Sequence, residues 1–254
     1  MMDLIVFSVG NNHYALNIEN IQRIIQAKEL TTIPNSSALI DGMMSYEEKV
    51  IKVLNFRKLI GLIPYEKELQ KSFAVFKLSY QEWLNELKDS LEKGSVFTKT
   101  TNPHKSEFGM WLDGFNSYDD KVTAVLKELM LGHKHIHSLG SDAIELYKTD
   151  KDRAKSMLNG EIDEAFKKVT HSLDVFISEL ESVSNSLQKL IIYEKNGTTF
   201  AIKVDTIEDI VHIEDSKIMS SHEEHITGEY LELSGILDID GVLINLIKNI
   251  DIPN

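Results

Sequence analysis

The 254-residue sequence predicts an α+β fold in which a β-rich unit is interrupted by a helical bundle. Three observations carry that expectation. Short strand-like runs separated by turn residues fill both ends of the chain, and apolar residues recur every three or four positions through the middle. The strand pattern that stops before the middle resumes after it, so one interrupted unit accounts for the order better than three separate ones. An up-down bundle with an even number of helices returns the chain to the end where it began, which lets it sit between strands without separating them. The expected boundaries are 1–72 for the first half of the β domain, 73–186 for the helical insert and 187–254 for the second half of the β domain.

Taken in order, residues 4–9 (LIVFSV) form an apolar run that ends at the turn signal Gly10-Asn11-Asn12. Residues 13–18 then alternate, and 21–25 read as a turn or short helix. Ile33, Pro34 and Gly42 punctuate the next stretch, and residues 49–56 (KVIKVLNF) are a further strand. From Phe73 the period is helical: Phe73, Phe76, Tyr80, Trp83, Leu87 and Leu91 share one face. A second stripe runs from Val122 through Leu129, His133, Ile136 and Gly140, and a third from Ala154 to Val183. Each buries one face and leaves charge on the other. A shorter piece at 108–115, after Asn102-Pro103, supplies a fourth helix. Two hairpins close the chain, one around Asn196-Gly197 and one around Asp240-Gly241, dipeptides that favour tight β-turns.

Composition excludes several classes of function. The net charge of −13 opposes binding to phosphate backbones or anionic lipid, so neither nucleic acid nor a bare membrane is expected as a partner. The charge is uneven, with net 0 over 1–72, −5 over 73–186 and −8 over 187–254. With no Cys there is no disulfide, thiol nucleophile or thiolate metal site. The first residues lack a basic stretch and a small-residue cleavage site, so no signal peptide is expected and the cytoplasm is the expected compartment. No Gly-rich phosphate loop or Gly-x-Ser-x-Gly elbow occurs, and an enzyme is not expected.

The run His133-Lys134-His135-Ile136-His137 places His133 and His137 four residues apart on the inward face of a helix, with His135 outward. Two imidazoles on one face are either metal ligands or buried polar residues with ordinary hydrogen bonds. A zinc protease helix would need Glu directly after the first His, where Lys134 stands. Trp83 and Trp111 lie in apolar stripes and read as core anchors, and His104 reads as a loop residue.

The β segments resemble the CheW-like family of chemotaxis coupling proteins. The resemblance rests on Ile33-Pro34, Ile40, Gly42, Val50-Ile51, Val53-Leu54 and Phe56 to Leu62. It continues at Gly197, Phe200 to Ile210 with Val204-Asp205, Gly235-Ile236 and Asp240 to Ile244. It implies two small five-stranded β-barrels, here interrupted by a four-helix bundle, and a non-catalytic adaptor role. The partners implied are the chemoreceptor cytoplasmic tip and the regulatory domain of the histidine kinase CheA, with Ile33, Pro34, Gly42, Glu47, Glu48 and Asp205 as partner-binding positions. Glu47-Glu48 stands where the family usually has Arg-Gly, which inverts a charge at that hairpin.

The helical segment is similar to the chemoreceptor zinc-binding (CZB) domain. Tyr80-Gln81-Glu82-Trp83 matches its His-x-x-aromatic start. Ser106 to Trp111 matches its Cys-x-apolar-Gly-x-Trp motif, and His133 and His137 match its His-x-x-x-His pair. The resemblance implies metal ligands at His133 and His137, a modulatory or dimerising role, and pairing of two copies through the helices. Tyr80 and Ser106 replace the other two ligands, and both are poor donors to zinc at neutral pH. No cofactor, or weakly bound Zn, is therefore expected, with His104, His135 or Asp113 as substitute ligands. The alternative is a metal-responsive regulator using a non-standard His site.

Overall fold

A computed structural model describes residues 2–115, 120–214, 218–219 and 228–253. The chain divides into two compact units, Met1–Tyr65 with Ser184–Asn254, and Glu66–Val183.

The first unit is a β structure built from both ends of the chain. Before the helical segment come β1 (Met2–Val9), β2 (Asn12–Asn17), β3 (Ile21–Gln26), β4 (Ile40–Tyr46) and β5 (Lys49–Asn55), followed by the short helix α1 (Phe56–Leu59). After it come β6 (Lys189–Lys195), β7 (Thr198–Val204), β8 (Thr206–Ile213), β9 (Ile218–Met219), β10 (Leu231–Ile239) and β11 (Val242–Ile250). One sheet has the order β8-β1-β2-β11-β10-β9 and the other β3-β6-β7-β5-β4. Both therefore mix early and late strands. The parallel pairs β2–β11 and β5–β7 join segments far apart in sequence.

The apolar run of β1 is explained by burial on both faces. Ile5, Phe7 and Val9 point to a shared core that also holds Phe56 of α1 and Leu54, Ile191, Tyr193, Phe200 and Ile202 from the other sheet. Leu4 and Val6, one step out of phase, point to a second cluster with Ala15, Ile244 and Leu246. The second sheet does the same, sending Met44, Ile51, Val53, Leu190 and Ile192 to a third cluster.

Three expectations need correction. Residues 21–25 are strand, not turn or helix, because Ile24 and Ile25 pair with Ile191 and Leu190 of β6. The first sheet has six strands rather than five. Neither sheet is a closed barrel among the described residues. β8 and β9 share no ladder, and β9 offers only two residues for one. In the second sheet the edge strands β3 and β4 share no ladder, and a single isolated bridge links β4 to Thr31, beyond the end of β3, where Thr31 N donates to Met43 O at 2.9 Å and Met43 N to Thr31 O at 2.8 Å. Two hydrogen bonds are not the ladder that closure needs. The bridge explains Gly42, where a Cβ would lie 2.6 Å from the Thr31 carbonyl oxygen.

The second unit is helical throughout. It contains α2 (Tyr65–Lys93, from its second residue), α3 (Glu107–Gly114), α4 (Asp120–Tyr147), α5 (Lys151–Met157) and α6 (Asp163–Ser178). A five-residue π segment, Leu158–Ile162, joins α5 to α6 in one continuous rod. The last helix, α7 (Leu180–Leu187), spans the unit boundary at Ser184. Every residue of the expected stripe from Phe73 to Leu91 is buried, as is the third stripe from Ala154 to Val183. Helix α2 starts eight residues before Phe73, since its first turn is polar and Leu69 is its first buried residue. No described helix is long and apolar enough to cross a membrane.

Candidate functional site

The residues singled out in the helical sequence converge. Helix α4 carries His133 and His137, both buried at 1% and 3% exposure, with ring centroids 4.6 Å apart. Helix α2 contributes Tyr80 and Trp83 from its buried face. The 3-10 turn Pro103–Lys105 and the start of α3 bring Ser106 and Phe108. Phe108 stands edge-on to His133 at 5.3 Å, and Trp83 lies 5.1 Å from His137.

Hydrogen bonds fix the state of each imidazole. His133 Nε2 faces the Pro103 carbonyl oxygen at 2.9 Å, and a carbonyl can only accept. The proton is therefore on Nε2, which also lies 3.0 Å from Ser106 Oγ. His133 Nδ1 then accepts from the Tyr80 hydroxyl. Ser106 donates to Pro103 O at 2.9 Å and accepts from Gly109 N at 3.0 Å, capping α3. Gly109 is required here, because a Cβ would fall 1.8 Å from the Pro103 oxygen. His137 bonds the backbone at Thr100 and Thr101, while its buried Nδ1 has no partner. Nε2 is accordingly its protonated nitrogen, and Nδ1 presents a lone pair.

Burial holds both rings neutral. It lowers the His133 pKa, and burial with the neighbouring His133 pulls His137 down to about 4. Burial also pushes the Tyr80 hydroxyl far above its usual range.

These residues do not make a zinc cage. The single lone pair of His133 is already taken by Tyr80, Tyr80 resists ionisation, and Ser106 is spent on capping and on Pro103. His104, the expected substitute, bonds Asp113 Oδ2 at 2.7 Å through Nδ1 at an exposed position, and His135 is exposed. Among the described residues no three His, Cys, Asp or Glu side chains are grouped to hold a metal. A tetrahedral zinc site needs four donors, and His137 Nδ1 is the one unengaged nitrogen of the two imidazoles.

The expected partner-binding positions separate into exposed and buried ones. Glu47 and Glu48 are exposed at the β4–β5 turn, with Glu47 at φ 52°, a left-handed conformation costly for a non-glycine residue. Pro34 is exposed, and Ile33 is half-buried against the shared core. Gly42 is buried beside Thr31. Asp205, expected as a partner-binding position, is buried. It accepts from Arg57 Nε at 2.8 Å and lies 2.7 Å from Arg57 Nη2. It also accepts from Gly10 N at 2.8 Å and Gln188 Nε2 at 2.9 Å. Arg57, 1% exposed, further donates to Ile63 O at 3.0 Å and lies 4.7 Å over the Tyr65 ring. Reasoning from sequence passed over Arg57; a lone Arg following the apolar strand 49–56 was the available signal.

Comparison with known proteins places the β unit in context. A family model described as CheW-like domain matches residues 3–84, so this part of the chain is similar to that domain. The matched stretch supplies β1 to β5 and runs into α2. Over 73 residues, 29% of this chain, the sequence is 25% identical to the chemotaxis protein CheW of Thermotoga maritima. That alignment spans 48%, about half, of the relative's own length. Among solved structures, the scaffolding protein TtCheW from Thermoanaerobacter tengcongensis aligns at a TM-score of 0.45 and 13% identity. That alignment covers 97% of this chain and 88% of the other.

Proposed function

We propose that this chain is a chemosensory scaffold. Its β unit bridges the cytoplasmic tips of chemoreceptors and the regulatory domain of the histidine kinase CheA, working by surface complementarity and without catalysis. The observation that carries this reading is the CheW-like match over residues 3–84, whose strands complete both sheets only by pairing with strands of residues 189–250. The segment 66–183 is a CZB-like insert that modulates the assembly or pairs two copies of it. It does so without a tightly held zinc ion, because Tyr80 and Ser106 satisfy His133 in place of a metal.

Crosslinking followed by pull-down from native cells tests the partners. Recovery of chemoreceptor and histidine-kinase peptides, altered by Glu47→Arg at the exposed turn, is the expected result. Repeated recovery of neither class refutes the scaffold. Metal analysis of the purified chain separates the alternative. Less than one zinc per chain is expected, unchanged by His133→Ala. Stoichiometric zinc lost in that variant establishes a metal-responsive regulator instead.

A further inference from the structure

Two helices cross the boundary between the units, and the β unit holds one end of each. Helix α2 begins at Tyr65 and α7 ends at Leu187, so Tyr65 and the stretch from Ser184 belong to the β unit. The chain therefore leaves for the helical unit, and returns from it, through helix ends and not through loose linkers. A helical connection is a semi-rigid spacer, so a shift in α2 or α7 reaches the β unit at Tyr65 or Ser184 without being absorbed on the way.

A run of buried contacts inside the β unit joins the two helix ends. On the outgoing side Arg57 Nη1 donates to Ile63 O at 3.0 Å, and the guanidinium lies 4.7 Å over the Tyr65 ring. On the returning side Gln188 Nε2 donates to Asp205 Oδ1 at 2.9 Å, and Gln188 N donates to Ser184 O at 3.1 Å. Between them stands the Arg57–Asp205 pair, with Nε 2.8 Å from both carboxylate oxygens and Nη2 2.7 Å from Oδ2. Asp205 Oδ2 also accepts the Gly10 amide, in the turn between β1 and β2, at 2.8 Å. One guanidinium and one carboxylate thus meet both helix ends and a turn of the first sheet. A planar fork bonded to a carboxylate fixes direction as well as distance. Arg57 is 1% and Asp205 9% exposed, so water cannot readily stand in for a broken contact.

We infer that the Arg57–Asp205 pair is the element through which the helical unit acts on the β unit, with the β1–β2 turn at Gly10 as the receiving end. Arg57 and Asp205 act as positioning residues, converting a displacement at Tyr65 or Ser184 into a change at the Gly10 amide. The inference deepens the modulating role proposed for residues 66–183 and rests on that role for its purpose.

Hydrogen exchange of the full chain, resolved by residue with NMR, is the test. Ile162, 0% exposed in the helical unit, is changed to Val, a mild core truncation that weakens that unit. Tryptophan fluorescence confirms that the helical unit stays folded. Exchange of the Gly10 amide is expected to quicken about two- to tenfold in Ile162→Val, the range such a truncation gives when opening is shared. The amide of Ala201, inside β7 and away from the pair, should stay within about 1.5-fold of its parent rate. Arg57→Lys keeps the charge but loses the fork that holds Asp205 and Ile63 together. In that background Ile162→Val should move Gly10 exchange by less than about 1.5-fold. If Arg57→Lys does not fold, the contrast between Gly10 and Ala201 in Ile162→Val decides alone. An unmoved Gly10 amide, an equal response at Ala201, or a full response in a folded Arg57→Lys overturns the inference. The measurement uses neither receptor nor kinase, so its failure leaves the scaffold reading intact, and an empty pull-down leaves the coupling intact.

Discussion

Replacing Asp205 with Ala removes the carboxylate that faces the Arg57 guanidinium at 1% exposure. The lost contacts are the three Arg57 Nε and Nη2 approaches at 2.7–2.8 Å and the acceptors of Gly10 N and Gln188 Nε2. The Ile63 carbonyl and Tyr65 ring remain beside Arg57. Breaking a buried ion pair from one side costs about 3–5 kcal/mol. That is a large share of the 5–15 kcal/mol typical of a domain. Replacing both residues, with Arg57→Met added to Asp205→Ala, removes both members of the pair. The double variant should recover part of the loss and show a coupling of about 2 kcal/mol or more. The assay is urea unfolding followed by far-UV circular dichroism. Both tryptophans, Trp83 and Trp111, lie in the helical unit, so their fluorescence follows that unit separately. A loss under about 1 kcal/mol in Asp205→Ala, or strict additivity in the cycle, refutes the reasoning.

Three shorter predictions accompany it. Burial pulls the His137 pKa down from the ordinary 6.5 to about 4, and lowers that of His133 as well. The unfolded chain therefore binds more protons between these values, so stability is full above about pH 6.5 and falls by about 2–3 kcal/mol as pH drops toward 4. His137→Phe should flatten that dependence in denaturation measured across pH. Gly109→Ala drives a Cβ into the Pro103 oxygen and should destabilise the helical unit by about 2–4 kcal/mol, read by thermal melting. Glu47→Asn relieves the left-handed strain at φ 52° and should stabilise the β unit by about 0.5–1 kcal/mol in urea midpoints.

Much of the fold was legible because its signals are local. The stripes on α2 and α6 are set by helical spacing, and the Asn196-Gly197 and Asp240-Gly241 turns take positive φ at both residues. What escaped was decided by distant partners. Residues 21–25 have apolar positions compatible with a helix turn, and only β6, about 170 positions away, makes them a strand. The start of α2 was missed because a polar first turn carries no apolar stripe. At the candidate site, spacing brought out His133 and His137, and the family resemblance pointed to Tyr80 and Ser106. The direction of the hydrogen bonds was not readable, because it depends on Pro103 O, a backbone atom that no residue pattern announces. The ion pair of Asp205, named only as a partner-binding position implied by the resemblance, was hidden for a similar reason: its cation, Arg57, lies 148 positions earlier.

The braiding of early and late strands has a consequence for biosynthesis. During translation β1 to β5 emerge first, yet β2 and β5 each lack one flank until β11 and β7 exist. Between them the ribosome must deliver the whole of residues 66–183, which form a compact unit of their own. The nascent chain thus carries a finished helical body beside strands with open hydrogen-bonding edges, a state prone to edge-to-edge association. Slowing elongation over residues 184–250 should therefore raise aggregation and chaperone capture, while slowing it over residues 66–183 only lengthens the wait.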